Sequence, residues 1–247
     1  MISREQHIAQ AFVSLADSLA HDVDPTVLLD RLAAHCVALT GADAAGIMMV
    51  DARGSLRTMA VSDDRAALLE LLQAQSGEGP CIDVWREQHR LDAPDLAGRE
   101  SQWPNFVPRA RALGFHGAHG LPLRVNGHGV GALNLLCERP GTLTDSELGL
   151  MQAFADVTAV AVVRWEADPS RPRDVLTRVQ AAVSAKAAVE TAKGLLAAAA
   201  DISVQEADAA LHHYSRVHDL RPSETARLLI RRTLHPREVM AAHSTAP

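Results

Sequence analysis

The sequence has few cysteines and few aromatic residues, and each shortage argues against a class of protein. Its three cysteines, Cys36, Cys81 and Cys137, are widely separated in 247 residues, and there is no C-x-x-C pair. This spacing excludes a disulfide framework and a zinc or redox site built on paired cysteines. Aromatic residues make up only 3% of the chain, which argues against a nucleic-acid surface built on successive stacked rings.

Long hydrophobic runs and the common catalytic motifs are also missing. No run approaches the roughly 20 apolar residues of a membrane span, and the N-terminus lacks the basic and apolar regions of a signal peptide. We therefore expect a cytoplasmic protein. The motifs G-x-x-x-x-G-K-[ST], H-E-x-x-H and G-x-S-x-G do not occur, so we expect no enzymatic activity. His116 and His119 are three apart in a predicted strand and would point to opposite faces, so no metal site is predicted.

Charge is unevenly distributed along the chain. The formal net charge is -6, which argues against a nonspecific nucleic-acid binder. Residues 171–247 nevertheless carry 11 Lys+Arg against 8 Asp+Glu, whereas the first 170 residues carry 13 against 22. A mildly basic C-terminal region therefore follows an acidic body, which fits nucleic-acid contact at the C-terminal end.

Hydrophobic periodicity predicts a mixed α+β fold for the first two thirds of the chain. Two amphipathic helices come first, a hairpin and a short helix follow, and the clearest hairpin precedes a long closing helix. The predicted helices cover 4–20, 25–39, 66–75, 103–113 and 145–165, and the predicted strands cover 44–50, 56–61, 90–93, 118–125 and 129–137.

Three helices are predicted between residues 175 and 234. The first is alanine-rich and ends before Asp201. Ser203 stands three residues before Glu206, the arrangement of a capping box at the start of the second helix. Pro222 indicates a further break, and Ser223 is the predicted cap of the third helix. Two prolines at 168–173 predict a linker, and residues 235–247 lack a packing pattern, so we expect a disordered tail.

Three phrases before the linker resemble the GAF domain, an antiparallel sheet with helices on its faces that serves many signalling proteins as a small-molecule sensor. They are GEGPCIDVWREQHRLDAPDL at 77–96, WPNFVPRARALGFHGAHGLPLRV at 103–125 and GVGALNLLCERPGTLTDSEL at 129–148. The resemblance implies a sensor domain at 1–168 with a small-molecule ligand, and it leaves the identity of that ligand or cofactor open.

The C-terminal helices resemble the ANTAR domain, a three-helix RNA-binding module. The matching residues are Ala192-Lys193-Gly194-Leu195-Leu196, Ile202-Ser203, Glu206-Ala207, Leu211, Tyr214-Ser215-Arg216 and the stretch 220–226. Together the two regions resemble the actinobacterial GAF-ANTAR transcription antitermination regulators, whose members bind paired hairpin loops in nascent RNA. This resemblance implies an RNA-binding domain at 169–234 and control of transcription termination. A short linker at 168–173 would let the long helices on either side of it stack almost continuously, so we also expect a homodimer built along them.

Seven residues are candidates for RNA contact, and each also has a purely structural explanation. Lysines suit phosphate contact, but they can equally edge a packed helix with their ammonium groups in water. Close helix packing would explain a glycine within a helix, and a tyrosine can fill a core. The candidates are Lys186, Lys193, Gly194, Tyr214, Arg216, Arg221 and Ser223.

Cys81 is the candidate sensor residue of the first domain. It lies in a glycine-rich loop, where an unpaired thiol is expected to be exposed and could contact a ligand or sense redox state. Two rival hypotheses remain. The protein could be a ligand-sensing dimer that acts through protein partners without RNA, since His212 and His213 stand where the family commonly has basic residues. It could also be an enzyme with redox chemistry at Cys81.

Overall fold

The computed structural model describes residues 4–20, 23–165 and 175–244. The chain divides into two compact units, Met1–Ala181 and Ala182–Pro247. The division falls within a helix rather than at the predicted linker, and that linker lies outside the described residues.

A five-stranded antiparallel sheet organises the first unit. Its strand order is β2-β1-β5-β4-β3, and both predicted hairpins are present, as β1 with β2 and as β4 with β5. The three central strands are almost entirely buried because helices cover both faces. The bounds are Ala44–Val50 for β1, Leu56–Val61 for β2, Leu91–Ala93 for β3, Gly117–Val125 for β4 and His128–Cys137 for β5.

Helices form a layer on each face of this sheet. Helices α1, α2 and α6 cover one face, and α3, α4 and α5 pack with the other face around Trp103, Phe106 and Phe115. The bounds are Arg4–Ala20 for α1, Pro25–Leu39 for α2, Asp64–Ser76 for α3, Pro80–Glu87 for α4, Phe106–Ala112 for α5 and Asp145–Arg164 for α6. The predicted GAF-like α+β fold is confirmed.

Helix α6 is, within the described parts of the chain, the one helix long and apolar enough to cross a membrane. Half of its most apolar window is buried in the protein, and Met151, Phe154 and Val162 are completely buried. Packing against α1, α2 and β4 therefore accounts for its apolar composition.

The described C-terminal region consists of helices. Their bounds are Val175–Ala200 for α7, Val204–Val217 for α8, Pro222–Ile230 for α9 and Pro236–Ser244 for α10. Asp201, directly after α7, has a positive φ of 55°, and this left-handed conformation ends the helix. The predicted capping box is present: Glu206 N donates to Ser203 Oγ at 3.2 Å, and Ser203 N donates to Glu206 Oε2 at 2.9 Å.

The start of α9 differs from the prediction. Arg221 is the capping residue, its backbone N–H donates to Glu224 Oε2 at 3.0 Å, and Pro222 occupies the first helical position. Ser223 therefore lies inside the first turn and is completely buried. Proline at the first helical position determines this register because its fixed φ suits a helix start and its missing donor costs nothing there.

Residues that the sequence predicts as a tail instead form α10. Val239 on this helix is completely buried and belongs to the core of the second unit. His235 N donates to Glu238 Oε1 at 3.0 Å and caps the helix start. The core residues, contributed by all four helices and the segment before α10, are Val189, Ala192, Leu196, Ala207, Ala210, Leu211, Ala226, Leu229, Leu234 and Val239.

Candidate functional site

Two regions contain the candidate functional residues, one in each unit. In the second unit, Lys193 is held between two carboxylates: its Nζ lies 2.9 Å from Glu190 Oε1 and 3.0 Å from Asp208 Oδ1. Lys186 also reaches Glu190, at 3.0 Å. The two lysine side chains are only 19% (Lys186) and 14% (Lys193) exposed. The lysines thus edge the packed face of α7, and their charge is neutralised within the unit.

Titration of this cluster reflects the same pairing. Burial works to raise the pKa of Glu190, but Lys186 and Lys193 outweigh it and hold that pKa below its usual value. Burial works to lower the pKa of Lys193, yet hydrogen bonds to Glu190 and Asp208 keep that pKa above its usual value. Both groups are therefore charged at neutral pH, and the cluster is an ion-pair network.

Gly194 lies on the exposed side of α7. A Cβ atom built at this position would meet no atom of another element within 4 Å. Close helix packing within the chain, one explanation offered by the sequence, therefore does not occur here. A glycine costs a helix roughly 1 kcal/mol relative to alanine, so the residue leaves an open, side-chain-free position on this surface.

Tyr214 and His218 form a ring pair at the end of α8. Their centroids are 4.1 Å apart with an interplanar angle of 31°. Tyr214 is half-buried against the helical core, whereas His218 is exposed. The structure thus gives Tyr214 a packing role on one side and an accessible stacked edge on the other.

The three remaining RNA candidates differ in accessibility. Arg216 is exposed. Arg221 is half-buried, and its Nε lies 3.9 Å from Glu224 Oε1. Ser223 is completely buried, so its hydroxyl does not reach the surface. The prediction that Ser223 lines a phosphate-binding edge is wrong, because Pro222 places it on the inward side of the first turn.

Three further arginines, Arg231, Arg232 and Arg237, are exposed beside the connection from α9 to α10 and are not among the sequence-predicted contacts. The adjacent pair of arginines is visible in the sequence. Arg231 and Arg232 lie beyond the matching stretch 220–226, and Arg237 lies in the predicted tail.

In the first unit, a polar cluster is buried between the sheet and helices α3 and α4. The Glu70 carboxylate on α3 accepts hydrogen bonds from Asn134 Nδ2 and Gln73 Nε2, each at 2.9 Å. Gln73 Oε1 in turn accepts the backbone N–H of Cys81 at 2.8 Å, which places Cys81 beside the carboxylate. All four residues are completely buried.

Glycines on the neighbouring strands create the space for this cluster. Asn134 on β5 is paired with Gly46 on β1 and with Gly120 on β4, so neither flanking position carries a side chain. A Cβ atom at Gly46 would overlap the Glu70 carboxylate, and one at Gly79 would lie 2.5 Å from Gln73 Oε1. The positions of the Glu70 and Gln73 side chains therefore depend on glycine at positions 46 and 79.

Burial controls the chemistry of the cluster. It raises the pKa of Glu70 to about 7, although hydrogen bonds from Asn134 and Cys81 work in the opposite direction. Burial also raises the pKa of Cys81 well above its usual value, and the Glu70 charge adds to that effect. Cys81 is therefore a buried, protonated thiol, and the expectation that it is exposed is wrong.

One acceptor in the cluster has no protein partner. Asn134 Oδ1 is buried and makes no hydrogen bond within the described residues. Buried polar atoms are normally hydrogen-bonded, by protein or by a bound molecule. The cluster thus combines a carboxyl group that titrates near neutrality with an amide oxygen that can accept a donor.

His119 is buried on the opposite face of the sheet. Its Nδ1 lies 2.9 Å from Asp92 Oδ1. Arg90 contacts Asp92 at 2.8 Å and Asp145 at 2.6 Å. The network ties β3 and β4 to the first turn of α6, which agrees with a structural role for this histidine.

Comparison with known proteins supports this description of the first unit. The GAF domain family profile matches residues 24–162. The chain is similar in fold to the GAF domain of a phosphoenolpyruvate-protein phosphotransferase from Coxiella burnetii, with 18% identity, a TM-score of 0.52, and coverage of 68% of this chain and 100% of that one. A GAF domain of the same kind of enzyme from Acinetobacter gives 12% identity, a TM-score of 0.51, and coverage of 67% and 97%.

At such low identity, the structural likeness shows a shared fold only. No match was found among curated proteins. The family profile covers more than half of the chain and includes the whole sheet, helices α2 to α5 and nearly all of α6. The first unit therefore contains a GAF domain, a ligand-sensing signalling module, at residues 24–162, and the chain belongs to the GAF domain family.

Proposed function

We propose that this protein is a signal-responsive transcription antitermination regulator. Its GAF domain senses a small molecule and controls the C-terminal helices, which form an ANTAR module that binds hairpin loops in nascent RNA. The protein acts as a cytoplasmic homodimer and is a regulator rather than an enzyme. The observation that carries the proposal is the compact helical unit at Ala182–Pro247, whose helices break where the ANTAR resemblance requires.

The location of charge in the second unit supports RNA contact at its C-terminal half. Residues 182–211 carry two lysines against four acidic residues, whereas residues 212–247 carry six arginines against three. Both lysines are paired with carboxylates, but Arg216 is exposed. Cationic side chains facing water supply the phosphate contacts that dominate affinity for nucleic acids.

The buried cluster of the GAF domain supports a sensing role. Glu70 and Asn134 join helix α3 to the central strand, and Asn134 Oδ1, which has no partner among the described residues, can accept a hydrogen bond from a ligand beside this contact. A ligand that changes these hydrogen bonds would bind one position of α3 more tightly than another. It would therefore shift the equilibrium between the two positions.

The test has two stages, both with the full chain. Crosslinking the protein to RNA in cells identifies the bound leaders. A DNA template that encodes one such leader and its terminator is then transcribed in vitro. We expect purified protein to increase the read-through fraction, and to lose this effect when the loop sequences are scrambled. Equal read-through on native and scrambled leaders would contradict the proposal.

A second candidate function is regulation through protein partners without RNA. The observation that favours it is the internal pairing of Lys186 and Lys193, two of the predicted RNA contacts. Charge reversal at Lys193 alone does not separate the two functions, because it also disturbs the ion-pair network. Mutation of the exposed Arg216 to Gln is a cleaner test: RNA retention should fall under the first function and be unchanged under the second.

A further inference from the structure

We infer that the connection between α9 and α10 is a phosphate-contacting surface for RNA, formed by Arg231, Arg232 and Arg237. This inference rests on the proposed function and extends it. Arg231 and Arg232 lie beyond the residues that carry the ANTAR resemblance, which end at 226, and Arg237 lies beyond the predicted domain boundary at 234. We call these three residues the arginine turn.

The three guanidinium groups are available to a ligand. Each arginine is exposed, and none has a carboxylate within ion-pair distance among the residues described in the structure. This distinguishes them from Lys186, Lys193 and Arg221, which are each paired within the unit. Unpaired, solvated arginines need not break an existing ion pair before they contact phosphate.

The backbone that carries these side chains is well fixed. Arg231 N donates to Arg227 O and Arg232 N donates to Leu229 O, both at 3.0 Å, and Thr233 N donates to Leu228 O at 3.0 Å. Arg232 adopts a left-handed conformation with φ of 61°. The segment is thus a hydrogen-bonded helix end rather than a loose chain.

Buried apolar residues anchor the turn on both sides. Leu229 before it, and Leu234 and Val239 after it, are 3%, 5% and 0% exposed and belong to one core. Arg237 lies in the first turn of α10 and its N–H donates to His235 Nδ1 at 3.1 Å. A cationic surface fixed in this way loses little backbone entropy on binding.

Polyanionic RNA is the ligand class that fits this surface best. Three positive charges within seven residues, with a single carboxylate, Glu238, just beyond them, suit a chain of phosphates. An acidic protein surface is the competing partner, and RNA affinity that is unchanged when the three arginines are replaced would favour it.

The test compares two triple variants of the full chain. The first is Arg231→Gln, Arg232→Gln and Arg237→Gln. The matched control is Arg53→Gln, Arg109→Gln and Arg124→Gln, three exposed arginines of the GAF domain that likewise have no described ion pair. Both change net charge equally. The probe is a leader RNA recovered with the wild-type protein, titrated at several salt concentrations.

We expect the arginine-turn variant to lose roughly 100-fold in affinity at about 0.1 M salt, since each phosphate contact to single-stranded RNA contributes a salt exponent of about 0.7. The slope of log affinity against log salt should fall by about 2, while the control stays near wild type. Replacement of the three arginines by lysine should keep most of the slope because the charge is retained. Wild-type hydrogen exchange of the α9 and α10 amides in the glutamine variant would show that its loss of affinity is not misfolding.

The outcomes separate the inference from the function on which it rests. Equal affinity and slope for the two glutamine variants would overturn the arginine turn while leaving RNA binding by the protein intact. If the wild type itself recovers no RNA, the proposed function fails first.

Discussion

Glu70 Oε1 accepts a hydrogen bond of 2.9 Å from Asn134 Nδ2, and this contact joins helix α3 to the central strand of the GAF sheet inside the core. The two residues are 64 positions apart in the sequence. A buried carboxyl group held by amides, with a thiol beside it, makes the sensor domain sensitive to proton binding, to substitution and to ligands that offer hydrogen-bond donors.

The first prediction concerns pH. Burial raises the pKa of Glu70 to about 7 from a usual value of 4.5. Below pH 4.5 the group is protonated in both folded and unfolded protein, and between the two values only the folded protein keeps the proton. The free energy of unfolding should therefore fall as pH rises through this window, by about 3 kcal/mol in total, and level off above it.

Glu70→Gln removes this dependence because an amide does not titrate. Urea unfolding followed by tryptophan fluorescence measures it, since Trp85, Trp103 and Trp165 all lie in the first unit. The wild type should lose stability relative to the variant between pH 5 and 7.5. Parallel curves would show that Glu70 does not titrate in this range.

The second prediction concerns Cys81. Its thiol is completely buried and burial keeps its pKa well above the usual value, so the native protein should react with an alkylating probe at neutral pH far more slowly than the unfolded chain. Mass spectrometry of the modified peptide measures the rate. Cys36, which is also buried and has a raised pKa, serves as the internal control. Rapid labelling of Cys81 alone would restore the redox hypothesis.

The third prediction concerns Lys193. Its replacement by Glu places a third carboxylate beside Glu190 and Asp208. We expect the free energy of unfolding of the second unit to fall by about 1–2 kcal/mol, between the values typical of exposed and of buried ion pairs. Adding Asp208→Lys should restore part of the loss. Hydrogen exchange of the α7 and α8 amides measures the stability of both variants. If the double variant is no more stable than Lys193→Glu alone, residues 193 and 208 are not coupled.

The fourth prediction concerns α10. Val239→Ala removes a completely buried side chain from the core of the second unit and should cost about 2 kcal/mol through lost burial and the cavity that remains. Arg237→Ala on the exposed side of the same helix should change stability by less than about 0.5 kcal/mol. Equal protection of the unit's amides in both variants would show that α10 does not contribute to the fold.

The sequence predicts the strands and most helices well because their apolar residues recur with the period of each element. It does not predict the buried cluster, since α3 reverses the usual pattern: Glu70 and Gln73 face inward, while Leu68 and Leu71 are 44% and 51% exposed. The reversal depends on Asn134 and on glycines in distant strands, and periodicity along one helix carries no information about them.

The same reasoning explains the error at the C-terminal end. Helix α10 contributes one completely buried valine, so it shows no repeated apolar pattern, and its stability comes from packing on helices far earlier in the chain. The residue type of Ser223 suggests a helix cap, but Pro222 takes the first helical position and so makes Arg221 the capping residue.

The burial of Val239 affects how genetic truncations of this protein should be interpreted. A stop codon placed just after residue 234 would spare every position that resembles the RNA-binding family, yet it would strip one wall from the hydrophobic interior. The shortened product would be a substrate for proteolysis, and a loss-of-function phenotype in such a strain would report degradation rather than the removal of a regulatory appendage.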